Sequence, residues 1–193
     1  GLTNGLEYTF KVRAVNSEGP GAEASATATP VAPEFAGGSG SEGDPYLVAN
    51  ADQLYNVRNH LDKHFQLIED IDLSDYSSGQ GWDPIGTYAD PFTGTFDGDG
   101  HTISNLYIDK IKVYMSYVSA GLFGNTGAGA EISNLTLESA DVTGCYYVGS
   151  LVGRNNGNIT NVSGSGSVSG EFGTGGLVGR NYGSITDSAF IGT

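Results

Sequence analysis

The sequence holds a single cysteine, Cys145, which excludes an internal disulfide and any zinc site built on several thiolates. Basic residues are scarce: 8 Lys and Arg stand against 22 Asp and Glu, a formal charge of −14. A phosphate backbone must be met by a basic surface, so nucleic acid is excluded as a natural partner. Anionic membrane surfaces are disfavoured on the same ground. No apolar run reaches the roughly 18 residues of a membrane-spanning helix, so this segment does not insert. Proline is limited to 6 residues, and a hydrophobic fraction of 38% argues against disorder throughout. The His-Glu-x-x-His pattern of zinc peptidases is missing. Flat ice-binding ranks need Thr-x-Thr on successive coils, and Thr93-Gly94-Thr95 is isolated.

Glycine is what the chain has in excess, 31 of 193 residues, without the every-third-residue period of collagen. Charge is uneven. From Glu42 to Asp99 twelve acids face Arg58 and Lys63, whereas the segment from Gly100 onward is nearly neutral and rich in small polar residues.

Residues 1–33 form one unit. Glu7 to Val15 alternates sides, with Tyr8, Phe10, Val12 and Ala14 on one face, the pattern of a half-buried strand. Asn16 to Gly21 is a turn cluster, and Ala24 to Thr29 runs back. Residues 34–45, with Pro30 and Pro33 before them and Gly37-Gly38-Ser39-Gly40 within, have the composition of a flexible tether. A helix is predicted near 50–63, capped by Asn50 with Gln53 three residues on, and Leu54, Val57 and Leu61 share its apolar face.

The strongest signal is an internal repeat. Gly149 to Asn161 aligns with Gly175 to Asp187 at an offset of 26 residues, with 9 of 13 positions identical. Weaker copies are Gly121-Leu122-Phe123-Gly124 with Ile132 to Leu135, and Ile103 to Leu106. Short alternating strands, glycine-rich corners and this period predict an all-β fold over 46–193, a parallel β-helix whose first coil the helix caps. In-register positions form ladders up such a stack. Leu122, Leu151 and Leu177 are expected inside, and Asn105, Asn134, Asn161 and Asp187 are expected as a polar ladder at one corner.

Two resemblances follow from these residues. Leu2-Thr3-Asn4-Gly5-Leu6-Glu7-Tyr8, the alternating strand and Gly19-Pro20-Gly21 resemble the last hairpin of a fibronectin type III domain, with Tyr8 as its tyrosine-corner residue. The Gly-Leu-[Val/Phe]-Gly core at Gly121 and Gly176, and less closely at Ser150, resembles the GLUG motif over about 121–193. The stretch from Gly43 through Pro91 to Leu106 is similar to the segment that precedes such repeats. The GLUG resemblance implies a surface-exposed solenoid of the kind found in large bacterial and archaeal surface proteins. It implies no particular reaction, and the insert from Asp109 to Val118 departs from the pattern.

Candidate sites are few. Arg154 and Arg180 occupy the same repeat position and are candidates for binding an anionic sugar; two solvated arginines at a coil corner are the plainer reading. Tyr147 and Tyr182, with Tyr107, Tyr114, Tyr117 and Tyr146, are binding candidates as a sugar-stacking face; shielding of coil edges is the plainer reading. Asp97 and Asp99 alternate as in a calcium loop, but His101 ends the alternation and no distant acid follows, so a tight turn is the plainer reading. Glu69, Asp70, Asp72 and Asp75 are a weaker set of the same kind. His60 and His64 lack a third ligand, and Cys145 reads as a packed thiol. No cofactor is expected, with calcium left open.

The expected role is therefore non-catalytic: an extracellular, cell-surface solenoid module of a prokaryotic adhesin or stalk protein, meeting a host or cell-surface glycan or protein. The alternative is a structural subunit that self-associates head to tail through its N-terminal hairpin and the coil edge near Thr193, giving a filament. A polysaccharide-active enzyme stands a distant third, because the acids of the repeats do not recur at one coil position.

Overall fold

The computed structural model describes residues 1–110 and 118–193, and Tyr114 and Tyr117 lie outside the described residues. The chain divides into two units, Gly1–Glu34 and Phe35–Thr193. In the first, strands Tyr8–Val12 and Ala24–Ala28 pair antiparallel, with Phe10 opposite Ala26. The connecting turn is tied by Asn16, whose side-chain oxygen accepts from the Glu18 amide. The Tyr8 hydroxyl accepts from the Thr3 amide at 2.8 Å, closing the chain entry onto the strand.

The second unit begins earlier than its composition suggests. The Gly-Ser stretch is a folded turn, not a tether: the Ala36 amide donates to Leu47 O at 2.8 Å and the Leu47 amide to Gly37 O at 2.9 Å. Phe35 is buried and stacks on Tyr46 with ring centroids 4.4 Å apart. Gly38 and Gly40 have φ of +81° and +75°, and a Cβ on Gly38 would fall 1.8 Å from Pro45 O. Here glycine serves a tight backbone geometry, which composition alone cannot tell from flexibility.

The helix is shorter than expected. It runs Ala51–Asn56 and continues as a single 3₁₀ turn, Val57–Asn59. The Asn50 side chain accepts from the Gln53 amide, and the Gln53 side-chain oxygen accepts in return from the Ala49 amide at 2.8 Å. Leu54 and Val57 are fully buried, which seats the helix on the core.

Beyond the helix the unit is a stack of parallel rungs. Tyr46–Val48, His64–Leu67, Thr95–Asp97, Glu131–Val148, Asn158–Thr174 and Ser184–Thr186 follow one another in parallel register. One inward ladder therefore reads Tyr46, Phe65, Phe96, Ile132, Ile159, Ile185. A second reads Ile71, Ile103, Leu137, Gly164, Phe190. A third face aligns Phe123, Val152 and Val178, with Leu122, Leu151 and Leu177 buried next to them. The core is aromatic in the first rungs, with Phe65, Trp82, Phe92, Phe96 and Phe123 fully buried, and aliphatic in the last. Each such side chain contributes about 1.5–3 kcal/mol through burial.

The register corrects one expectation. Ile103 does not stand in the column of Ile132; it lies between Ile71 and Leu137, and Ile132 stacks on Phe96 instead. Asn105 therefore belongs to a different corner from Asn134, Asn161 and Asp187. All four nevertheless share a left-handed backbone, with φ of 59°, 53°, 55° and 49°. The recurring Ile-[Ser/Thr]-[Asn/Asp] step reports a strand end followed by a left-handed corner, and a rung has more than one such corner. Asn and Asp are the side chains that tolerate that conformation best after glycine.

Candidate ligand groove

Two polar columns hold the corners together. In the first, Asn134 Nδ2 donates to Asp97 Oδ1 and Asn161 Nδ2 donates to Asn134 Oδ1, both at 2.9 Å. Asp187 lies one rung further on, after Thr186, which pairs with Thr160. Asn105 Nδ2 donates instead to Asp72 Oδ1 at 2.9 Å. The second column was not foreseen. Thr126 Oγ1 donates to Asn155 Oδ1 at 2.6 Å, and Asn155 Nδ2 donates to Asn181 Oδ1 at 2.8 Å. Asn155 also bonds both the amide and the carbonyl of Gly157, and Asn181 does the same with Gly183. Thr126 and Asn155 are buried, so every polar atom there must find a partner inside. The signal was present in the repeat, where Asn155 and Asn181 are identical, but it was masked by the neighbouring arginines.

Immediately before these asparagines stand Arg154 and Arg180, on strands Val152–Asn155 and Val178–Asn181 and paired across adjacent rungs. Their guanidinium groups alternate with tyrosine rings. Arg154 Cζ lies 5.0 Å from the ring centroids of both Tyr88 and Tyr182. Arg180 Cζ lies 4.7 Å from Tyr182 and 5.0 Å from Tyr147, and it also donates to the Tyr147 hydroxyl. These residues, with Ser119 and Asn125, line a groove of about 350 Å³. All four residues expected for binding meet there. Tyr88, exposed on a loop outside the repeats, and the buried pair Ser119 and Asn125 were missed, because nothing in the repeat points to them.

The electrostatics of this groove differ from those of the rest of the unit. Arg58 and Lys110 both face Asp83, at 3.2 and 3.3 Å, and Lys63 faces Asp62. Among the described residues no carboxylate pairs with Arg154 or Arg180, and none lines the groove. Arg154 Nε is buried without a hydrogen-bond partner among the described residues. Tyr147 is held at φ +45°, a conformation that costs a bulky residue about 1–3 kcal/mol. Glycine on the next rung makes this possible: a Cβ on Gly179 would lie 2.5 Å from the Tyr147 carbonyl carbon.

The other candidates disperse. Asp97 Oδ1 accepts from the Asp99 amide as well as from Asn134, while Asp99 Oδ2 accepts from Gln66 Nε2 at 2.9 Å. Asp70 Oδ1 accepts from the Thr102 amide at 2.8 Å and faces His101 Nδ1; these two contacts hold its carboxyl below the usual range. Asp72 is lowered likewise, by Asn105 first and Ser74 second. Among the described residues no three His, Cys, Asp or Glu side chains converge as a metal site would require. His64 bonds Thr95 Oγ1, and the His60 ring packs on Phe35. Cys145 is half-buried and donates to Glu171 one rung away, with its thiol pushed up by burial and by that carboxylate. Tyr146 stacks on Phe172 rather than on the groove.

Comparison with known proteins agrees with the repeat. The family described as "The GLUG motif" matches residues 170–193. A Gly-rich membrane protein of Evansella cellulosilytica is 42% identical over 136 residues, covering 67% of this chain and 15% of that protein. Halomucin of Haloquadratum walsbyi is 40% identical over 138 residues, covering 67% of this chain and 2% of that protein. The chain thus spans a small part of these relatives. A crystal structure of an immunoglobulin A1 protease from Bacteroides ovatus aligns at a TM-score of 0.44 and 21% identity, over 82% of this chain and 70% of that one. The chain thus carries the GLUG motif on its last rung, with its repeats stacked in register up to it.

Proposed function

We propose that the chain is a non-catalytic parallel β-helix module of a cell-surface protein, a stiff stretch of an adhesin or stalk that presents side chains for binding. The observation that carries this reading is the in-register stacking of residues 131–148, 158–174 and 184–192, which gives a rod of repeating rungs with few loops. The names of the relatives, a membrane protein and a halomucin, support placement at the cell surface. The acids Asp70, Asp72 and Asp97 accept bonds that hold corners together, a structural use that supports a non-catalytic role. The bond from the Thr3 amide to the Tyr8 hydroxyl supports reading the first unit as the closing strands of a fibronectin type III domain.

An antibody against residues 35–193 tests the placement. It is expected to label intact cells of the source organism, and labelling only after permeabilisation would contradict the reading. Incubation of the chain with a panel of polysaccharides is expected to release no new reducing ends; release would make it an enzyme.

A further inference from the structure

We propose that the groove between Tyr88, Arg154, Tyr182, Arg180 and Tyr147 is a binding site for an acidic sugar carrying carboxylates, a uronate oligomer. The inference rests on the surface-module reading and names the ligand class of its binding face.

Three features converge. The first is charge without a partner. The chain has 8 basic residues against 22 acidic ones, and it places two of them on adjacent rungs with no carboxylate opposite among the described residues. Arg154 Nε has no acceptor among the described residues, so no internal oxygen draws on that nitrogen's charge. The guanidinium fork fits a planar carboxylate in two parallel bonds, which selects carboxylates over rounder anions.

The second feature is the tyrosines. Tyr88 and Tyr182 are exposed, at 74% and 54%, and still lie over the arginine heads. This ordering keeps both guanidinium groups in place before any ligand binds, which lowers the conformational cost of binding. The outer faces of such rings offer flat apolar surface against which the C–H face of a pyranose ring stacks. An arginine pair flanked by open aromatic faces thus recognises an anion fused to a ring.

The third is strain. Tyr147, whose hydroxyl receives a bond from Arg180, is a left-handed tyrosine, and glycine at 179 clears the space it needs. Backbone strain of this kind persists where the surroundings hold it, and here it fixes the wall of a groove. The ligand is a short oligomer in the test, because a long polyanion would also meet the net charge of −14 on the chain.

The experiment is calorimetric titration of the chain with hexagalacturonate at physiological salt. Maltohexaose, a sulfated dextran oligomer and hexaglutamate are the comparisons. Saturable binding of hexagalacturonate is expected, with maltohexaose, the sulfated oligomer and hexaglutamate each at least about tenfold weaker. Arg180→Gln, at an exposed position, and Tyr182→Ala are each expected to weaken binding of hexagalacturonate about tenfold or more with unchanged thermal unfolding. Equal binding of hexaglutamate would mean that charge alone is read and would overturn the sugar. Equal binding of the sulfated oligomer would overturn the carboxylate. No binding of hexagalacturonate, or undiminished binding by Arg180→Gln, would overturn the site. Any of these results beside surface-labelled cells would remove the groove and leave the module reading standing, whereas unlabelled intact cells would overturn the module reading whatever the groove binds.

Discussion

Asn161 donates its side-chain amide to the side-chain oxygen of Asn134, 2.9 Å away on the adjacent rung, and both residues sit at left-handed φ. Each asparagine therefore does two things, taking a backbone conformation that most residues avoid and satisfying its neighbour up the stack. The two roles are separable. Asn134→Ala loses both and is expected to destabilise the chain by about 3 kcal/mol, the sum of a left-handed penalty and the hydrogen bonds to Asp97 and from Asn161. Asn134→Gly keeps the backbone and is expected to recover about 1 kcal/mol of that. Urea unfolding of the two variants measures the difference; equal losses would show that the amide bond alone matters.

Asn155 is expected to be the more sensitive position. It is 1% exposed and bonds Thr126, Asn181 and both backbone groups of Gly157. Asn155→Ala strands several buried polar groups at once, and a loss of about 3 kcal/mol or more is expected. Asn181→Ala, at an exposed position on the next rung, is expected to cost less than half as much in the same unfolding measurement.

Gly179 is expected to tolerate no side chain. Its Cβ would fall 2.4 Å from Val148 N and 2.5 Å from Tyr147 C, both backbone atoms that cannot rotate away. Gly179→Ala is expected to destabilise by about 1–3 kcal/mol or more and to disturb Tyr147. Gly129→Ala, with open space around it, is the comparison for a positive φ without crowding. Thermal unfolding ranks the two.

Acid should loosen the first rungs. Asp70 and Asp72 are held below the usual carboxylate range by the Thr102 amide and the Asn105 side chain respectively. A carboxyl whose value is lowered on folding adds stability above its unfolded value of about 4, and that stability is lost as pH falls through the lowered folded value. The urea midpoint is expected to fall between about pH 5 and pH 2, and Asp70→Asn with Asp72→Asn is expected to flatten that limb. An unchanged acid limb in the double variant would place the effect elsewhere.

The repeat made much of this legible. Residues 149–161 and 175–187 carry matched side chains 26 residues apart, and in-register matching is what brings Arg154 to Arg180 and Leu151 to Leu177. What sequence could not give was the phase of the earlier rungs. From Phe96 to Ile132 a rung takes 36 residues, against 27 and 26 for the next two, so a short motif at Ile103 fitted the wrong corner. The folded Gly37–Gly40 turn was hidden for a similar reason, since the same residues serve tight turns and tethers. Tyr88 reaches the groove through tertiary packing and has no counterpart in the repeat.

The last two rungs stack at an offset of 26 residues, and a cross-link reads that offset directly. Thr160 Oγ1 and Thr186 Oγ1 are 3.1 Å apart on the exposed face, opposite one another in parallel register. In a Cys145→Ser background, Thr160→Cys with Thr186→Cys is expected to form an intramolecular disulfide on mild oxidation, seen as a single cross-linked peptide by mass spectrometry. Asn158→Cys with Thr186→Cys, two residues out of register and so roughly 8 Å apart, is expected to stay reduced. Equal cross-linking of both pairs, or none at 160 and 186, would contradict the stacking and with it the groove.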